Sequence, residues 1–267
     1  MRTVTTSDPA IPPLHLADLT WIEARAALGP DCIIMLPVGA IEAHGPHLPL
    51  DTDVMIAVET SRRAAIRLRA RDRLALIAPP ITYGVSYVGA PFAGTVPAPS
   101  AAVSALVENV ITGLATFGPT RFAVVNAHLE PAHVESIRHG IGRAAASTGV
   151  TIAFPDKREP RWAATLSDEF RRGSRHAGAY ETSLLLAAAP HKVRTDLLSS
   201  LPPVIVDLPS RLRAGARTFA DAGGTDAYFG DPARATAAEG ERLFDALASM
   251  IETAVDELDL TPPLRLP

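Results

Sequence analysis

The residues with the most chemistry in them gather in one stretch, Ile33 to Asp53, where Glu42, His44, His47, Asp51 and Asp53 fall within twelve residues. A second group, His128 and Glu130, follows Asn126-Ala127, and a third joins His176 to Glu181. Carboxylates and imidazoles together suit zinc, manganese or iron, and a carboxylate can bridge two ions where an imidazole cannot. Glu42-x-His44 and His128-x-Glu130 each set a carboxylate and an imidazole two residues apart, which puts both on one side of an extended chain. With Asp53 they make five donors, enough for two ions that share one carboxylate. Ions paired about 3.5 to 4 Å apart activate a water and polarise the bond it attacks. The competing reading is a polar loop with each histidine solvated or bonded to backbone. Against it stand the Gly and Pro residues between the donors, because a solvated loop does not require the irregular backbone they fix. His176 reads either as a helix-cap or surface histidine or as a proton donor and acceptor beside the metals.

Such donors need elements to hold them. Cys32 to Leu36 is an apolar run of strand length that breaks at Pro37 and Gly39 into the donor stretch. Ile56, Ala57, Ala64, Ala65 and Leu68 recur with helical period, so a helix is predicted over Val54 to Leu68, beginning just after Asp53. Leu74 to Ala78, Arg121 to Asn126 and Val150 to Phe154 read as further strands, and Val204 to Asp207 as a short one. His15 to Ala27, Ser100 to Phe117, His133 to Ala146, His176 to Ala189 and Ala235 to Leu258 read as helices, with Ser100 as an N-cap. Ser7 to Pro13 reads as a loose proline-rich lead. Alternating strands and helices imply an α/β fold with a mainly parallel sheet covered on both faces, here as one domain over residues 1–267. Ligands in such sheets gather at the carboxyl ends of strands, where both donor clusters fall. Ile81 to Thr95, glycine-rich and carrying Tyr83, Tyr87 and Phe92, reads as an irregular loop of the kind that carries function.

Composition narrows the partners. A formal charge of −4 and 25 scattered basic residues point away from nucleic acid and from anionic membranes, and towards small molecules. With 47% hydrophobic residues the chain has ample material for a core. The single cysteine, Cys32, sits in an apolar run and reads as a buried thiol. No segment has signal-peptide character or eighteen uninterrupted apolar residues, so a soluble cytoplasmic protein is the expectation.

The run from Pro37 to Asp53, through Gly39, Glu42, His44-Gly45-Pro46-His47 and Asp51-Thr52-Asp53, resembles the signature of the creatininase family, the creatinine amidohydrolases and their relatives. The likeness continues through Phe92-Ala93-Gly94-Thr95, Asn126-Ala127-His128, His176-Ala177-Gly178, Glu181-Thr182-Ser183 and Gly230-Asp231-Pro232, in the family's order. It implies a three-layer α/β/α sandwich, two divalent ions per chain, usually zinc or manganese, and commonly a homo-oligomer, a hexamer. The activity implied is hydrolysis of a non-peptide C–N bond, in a cyclic amide or formamide, through a metal-activated water. Carried over position by position, Glu42, Asp53 and His128 would hold one ion, and His44, Asp53 and Glu130 the other, with Asp53 bridging. His176 matches the histidine assigned to proton transfer, and Glu181 the acidic residue of the same motif.

Departures from the family pattern bear on the substrate. Asp51 stands where a small uncharged residue is usual, adding a charge beside the site or a competing ligand; Ala127 and Pro131 replace glycine and asparagine. The creatinine hydrolases carry tryptophans that flank the substrate, whereas the position four before His176 is Arg172. The arginines at 171, 172 and 175 suit an acidic or phosphorylated amide better than neutral creatinine, because a guanidinium offers a planar fork to carboxylate or phosphate. Tyr83 to Phe92 and Trp162 to Arg175 are the segments expected to set substrate choice. The family also trims peptides and cleaves carbon–carbon bonds, and a metal-binding scaffold without turnover or a metallophosphoesterase are rivals from other classes. Keeping both His176 and Glu181 favours an enzyme, since a purely structural metal site needs neither.

Overall fold

A computed structural model describes residues 13–260. Four of the apolar runs are strands: β1 (Ile33–Val38), β2 (Ala75–Ile77), β3 (Arg121–Asn126) and β4 (Thr151–Ala153). They form one parallel sheet in the order β2-β1-β3-β4. The central pair is in register over its whole length, with Ile33 opposite Arg121 and Val38 opposite Asn126. The chain therefore leaves β1 and β3 at the same level, and the Ala127 N–H still donates to the Val38 carbonyl at 3.0 Å. This shared exit sets the two donor stretches side by side.

Strand alternation then sorts the core into two halves. Ile33, Met35, Ala75, Ile77, Ala123 and Val125 face one layer, while Ile34, Leu36, Leu76, Phe122 and Val124 face the other. Helices α2 (Thr52–Arg69), α7 (Ala179–Ala188) and α10 (Ala237–Leu260) cover the first face; α3 (Ser100–Ala115) and α4 (Pro131–Thr148) cover the second. The result is a three-layer α/β/α sandwich, as the resemblance implies. Short helices α5 (Pro160–Ala163), α6 (Asp168–Arg171), α8 (Thr195–Leu198) and α9 (Leu208–Arg213) lie between the longer ones.

Several boundaries depart from expectation for local reasons. The helix expected over His15 to Ala27 is a turn of 3-10 helix, Leu16–Asp18, followed by α1 (Trp21–Ala27). Thr20 divides them: it is extended and forms a reciprocal capping box with Glu23. Ser100 is the first helical residue and Pro99 the cap position, with no side-chain cap bond. Val204 makes a single antiparallel bridge with Gly230 instead of a strand. Asp53 lies inside the first turn of α2, and α7 begins at Ala179, so His176 precedes that helix. The lead expected over Ser7 to Pro13 falls outside the described residues up to position 12. Cys32 is buried, as its apolar surroundings require.

Phe122 is fully buried in the centre of the sheet and Phe117 is 61% exposed. Phe122→Ala should cost about 3–5 kcal/mol of unfolding free energy, whereas Phe117→Ala should stay within about 0.5 kcal/mol. Urea titrations of the two variants read this difference; equal midpoints would contradict the layer assignment.

Candidate metal centre

Each expected donor except one converges on a single point above the ends of β1 and β3. Glu42 and His44 come from the loop after β1, Asp53 from the first turn of α2, and His128 from the segment after β3. Glu181 lies in the first turn of α7, and His176 three residues ahead of that helix. Helix N-termini carry unpaired N–H groups and favour negative charge, which suits Asp53 and Glu181 where they stand. Gly39 permits the approach: a Cβ there would lie 2.6 Å from the Val54 nitrogen, against backbone that has nowhere to move.

Three histidines are oriented by the same device. His44 Nδ1 donates to the Glu42 carbonyl at 2.9 Å, His128 Nε2 to the Val85 carbonyl at 2.8 Å, and His176 Nε2 to the Ala43 carbonyl at 2.9 Å. Each bond fixes the tautomer and leaves the other ring nitrogen as a lone pair facing the carboxylates. His44 Nε2 lies 3.6 Å from both Asp53 Oδ1 and Glu181 Oε2. His128 Nδ1 lies 3.1 Å from Asp53 Oδ2 and 3.4 Å from Glu42 Oε2. His176 Nδ1 is 3.9 Å from Glu42 Oε2. The two oxygens of Asp53 thus address different sets of neighbours. Glu42–Asp53–His128 and His44–Asp53–Glu181 each bring three ligand atoms within 4.8 Å of one another, and so does Glu42–His44–His176.

Acceptors facing acceptors require a cation. Both Glu42 oxygens, Asp53 Oδ2 and His44 Nε2 are buried without a hydrogen-bond partner among the described residues. With protons alone, the cluster compensates through its basicities. Burial pushes the Glu42 carboxyl up to about 7. Burial opposes charge on His44 and His128, but the surrounding carboxylates win and raise them to about 9 and about 10. Burial also works against the Asp53 carboxylate, and His44 and His128 outweigh it and hold it well below the usual range. A divalent ion held there would replace these protons and compensate the buried carboxylates. The donor set of carboxylate oxygens and imidazole nitrogens, at this spacing, fits such ions.

The other sequence candidates are separated. Glu130 lines the cavity above the centre but belongs to none of the three groups; one carboxylate oxygen accepts the Val88 N–H at 3.1 Å. Asp51 points away and pairs with Lys192 at 2.9 Å. His47 bonds the Thr182 hydroxyl at 2.9 Å and ties the donor loop to α7. His176 is stacked on Phe219 with ring centroids 4.1 Å apart, and burial, with the nearby His44, holds it well below the ordinary histidine range, so it is neutral.

Sequence reasoning missed two buried residues here. His133 Nδ1 accepts the Val85 N–H at 3.2 Å and its Nε2 meets Asn126 Oδ1 at 3.2 Å, bracing the backbone whose carbonyl orients His128. Lys157 is buried over the Tyr180 ring at 5.4 Å; burial lowers its ammonium's basicity, and Glu181 and Asp53 are near enough to oppose that. Asp156-Lys157-Arg158 follows β4, so the strand-end rule that found the other donors could have flagged it. Ala177 adopts a left-handed φ of 50°, and its N–H donates to Glu181 Oε2 at 2.7 Å. Strain of that kind accompanies functional sites, but spacing alone does not reveal it.

Comparison with known proteins places these residues in context. The family model described as creatininase, creatinine amidohydrolase, matches residues 17–255. A mycofactocin precursor peptide peptidase of Mycobacterium ulcerans is 36% identical over 231 residues, 84% of each chain. A creatinine amidohydrolase of Pseudomonas putida is 34% identical over 208 residues, 71% of this chain and 77% of the relative. The solved structure titled "Creatininase Mn" superposes with a TM-score of 0.73 at 26% identity, covering 94% of this chain and all of that one. With that match across nearly its whole length, and with the family's acidic and histidine motifs gathered at one centre, this chain belongs to the creatininase family of hydrolases.

Proposed function

We propose that this chain hydrolyses a carbon–nitrogen amide bond with two divalent ions, zinc or manganese, as a one-domain cytoplasmic enzyme within a homo-oligomer. The observation that carries the reading is the convergence of three fixed histidine lone pairs on buried, unpartnered carboxylate oxygens. Glu42, Asp53 and His128 would hold one ion. His44 and Asp53 would hold the other together with Glu181, which by distance fits better than Glu130. Divalent ions bound there supply an acidified water and polarise the amide carbonyl. A scaffold without turnover would have no use for His176, a neutral imidazole with its Nε2–H tied to the Ala43 carbonyl and its Nδ1 open towards the centre. In this reading Nδ1 takes a proton from the attacking water and returns it to the leaving nitrogen. Stacking on Phe219 keeps that imidazole dry and oriented.

A short peptide is the substrate class best supported. Above the centre lies a cavity of about 690 Å³, near the middle of the roughly 300–1,000 Å³ found for drug-sized ligands and roomy for one small ring. The mycobacterial relatives named as precursor peptide peptidases agree with it. The second reading is the non-peptide amide expected from the resemblance, which the Pseudomonas putida relative favours. Assaying metal-loaded protein against short peptides, cyclic amides, formamides and phosphate esters separates the readings. Release of a new amino terminus from a peptide is expected; turnover confined to creatinine or to phosphate esters would overturn it.

Three outcomes test the centre itself. Loading zinc or manganese at pH 7 should release at least two protons per chain, since His44 and His128, raised to about 9 and about 10, give them up. Because ligands must be deprotonated, affinity should weaken as pH falls through this range; calorimetry in buffers of different ionisation heat counts the protons. By elemental analysis, Asp53→Ala should lose more metal than His47→Ala, and Glu181→Gln more than Glu130→Gln. Equal losses within a pair would show the ligands misassigned. His176→Ala should keep its metal and lose about two to four orders of magnitude in kcat; loss of metal would make it a ligand instead.

A further inference from the structure

The wall of the cavity beyond the metal centre is rich in arginine, and the structure divides these side chains into committed and free. Arg171 pairs with Asp168, Arg158 is clamped on Asp156 through Nε and Nη2, and Arg213 donates to Ser210. Arg175 differs. Its Nε donates to the Phe170 carbonyl at 2.8 Å and its guanidinium lies 4.6 Å from the centre of the Phe170 ring. The side chain is half-buried, and neither terminal nitrogen meets an acceptor among the described residues. Arg172, exposed on the same wall, has no partner among the described residues.

The acids nearby do not supply the missing acceptor. Asp207 uses both oxygens on Ser210, and Asp156 is occupied by Arg158 and Arg138. A planar fork, fixed by stacking and by one backbone bond, is thus presented beside a site for amide hydrolysis with its two terminal nitrogens unspent. That geometry matches a carboxylate, which takes two parallel N–H donors in one plane. A dianionic phosphate fits less well, because Asp156, Glu159 and Asp207 line the same wall.

We propose that Arg175, assisted by Arg172, binds a carboxylate of the substrate, so that the amide cleaved here carries a negative charge close to the scissile bond. The proposal rests on the reading of the centre as an amide hydrolase and names its substrate class. Two sources share this chemistry: the free C-terminus of a peptide and an acidic side chain.

The test is binding to metal-loaded protein, by calorimetry, of N-acetylalanine, N-acetylglutamic acid α-amide, neutral N-acetylalaninamide and inorganic phosphate. One of the two carboxylates should bind at least ~10-fold more tightly than the neutral amide and lose ~10- to 100-fold in Arg175→Gln. Whichever of them responds identifies the source. Arg175→Lys should recover part of the loss, and Arg161→Gln, a surface arginine paired with Glu257, should change nothing. A carboxylate held only by the metals would bind wild type and Arg175→Gln alike, and that result overturns the proposal. So would phosphate showing the larger dependence on Arg175. Thermal unfolding of each variant excludes misfolding as the cause. A protein that binds carboxylate through Arg175 but cleaves no amide keeps this inference and loses the hydrolase reading, so the two failures are distinguishable.

Discussion

Everything in this structure is arranged around a burial problem. Glu42, Asp53 and Glu181 are each no more than 2% exposed and lie within one shell of neighbours. Carboxylates taken from water into a protein core cost several kcal/mol apiece unless charge and hydrogen bonds compensate. Here the compensating donors are deliberately turned the wrong way. The ring N–H groups of His44, His128 and His176 are given to backbone carbonyls outside the cluster, which leaves lone pairs pointing inward. Such a centre is unstable as an apolar core and stable as a cage for cations. The fold therefore stores an electrostatic demand suited to a metal ion.

The parallel sheet is what allows that demand to be built. Because β1 and β3 end in register, two loops can approach one another without a crossing, and α2 and α7 bring their N-terminal turns to the same level. Gly39 and Gly89 clear the remaining space, the first against the backbone at the start of α2 and the second against the Glu42 carboxylate, where a Cβ would come within 2.6 Å. His133 and Val85 form an outer brace: the ring accepts the Val85 N–H while the Val85 carbonyl accepts from His128. Mobility in any of these would let the histidines rotate and offer N–H groups to the carboxylates, relieving the demand without metal.

How much of this could be read from residues alone follows from the range of the forces involved. The alternation of Ile33 to Leu36 and the helical period of Ile56 to Leu68 are local, and the layers they imply are those observed. Donor types and the strand-end rule pick out Glu42, His44, Asp53, His128 and Glu130; the first four lie in one neighbourhood, with Glu181 and His176 beside them and Glu130 in none of the groups. What spacing does not carry is which oxygen faces which nitrogen across 40 to 140 positions of chain. Glu130 follows His128 at the interval that suggests a shared ion, but the Val88 N–H claims one oxygen, and Glu181 stands beside His44 instead. Asp51 looks like a ligand until Lys192, far along the chain, is seen to pair with it. Thr20 starts α1 through a capping box whose Thr-x-x-Glu pattern stands in the sequence, so the helix begins at Trp21 and not at His15.

The centre and the wall above it answer to different constraints, and this explains why a shared family architecture is compatible with different substrates. Altering Glu42 or Asp53 unbalances a buried charge cluster, so the centre is rigidly specified by electrostatics. Arg172 is exposed and contributes nothing to the core, and Arg175 is half-buried and holds Phe170 only through its guanidinium. Phe219, stacked on His176 and packed against Phe92 and Phe229, is the boundary between the two zones. Inside it, burial against Phe219 keeps the His176 imidazole neutral. Outside it, Arg158 and Arg171 are paired with acids while Arg172 is exposed, and exchange of one exposed side chain there costs little stability. Selection on substrate can therefore act on the wall without disturbing the cage beneath it.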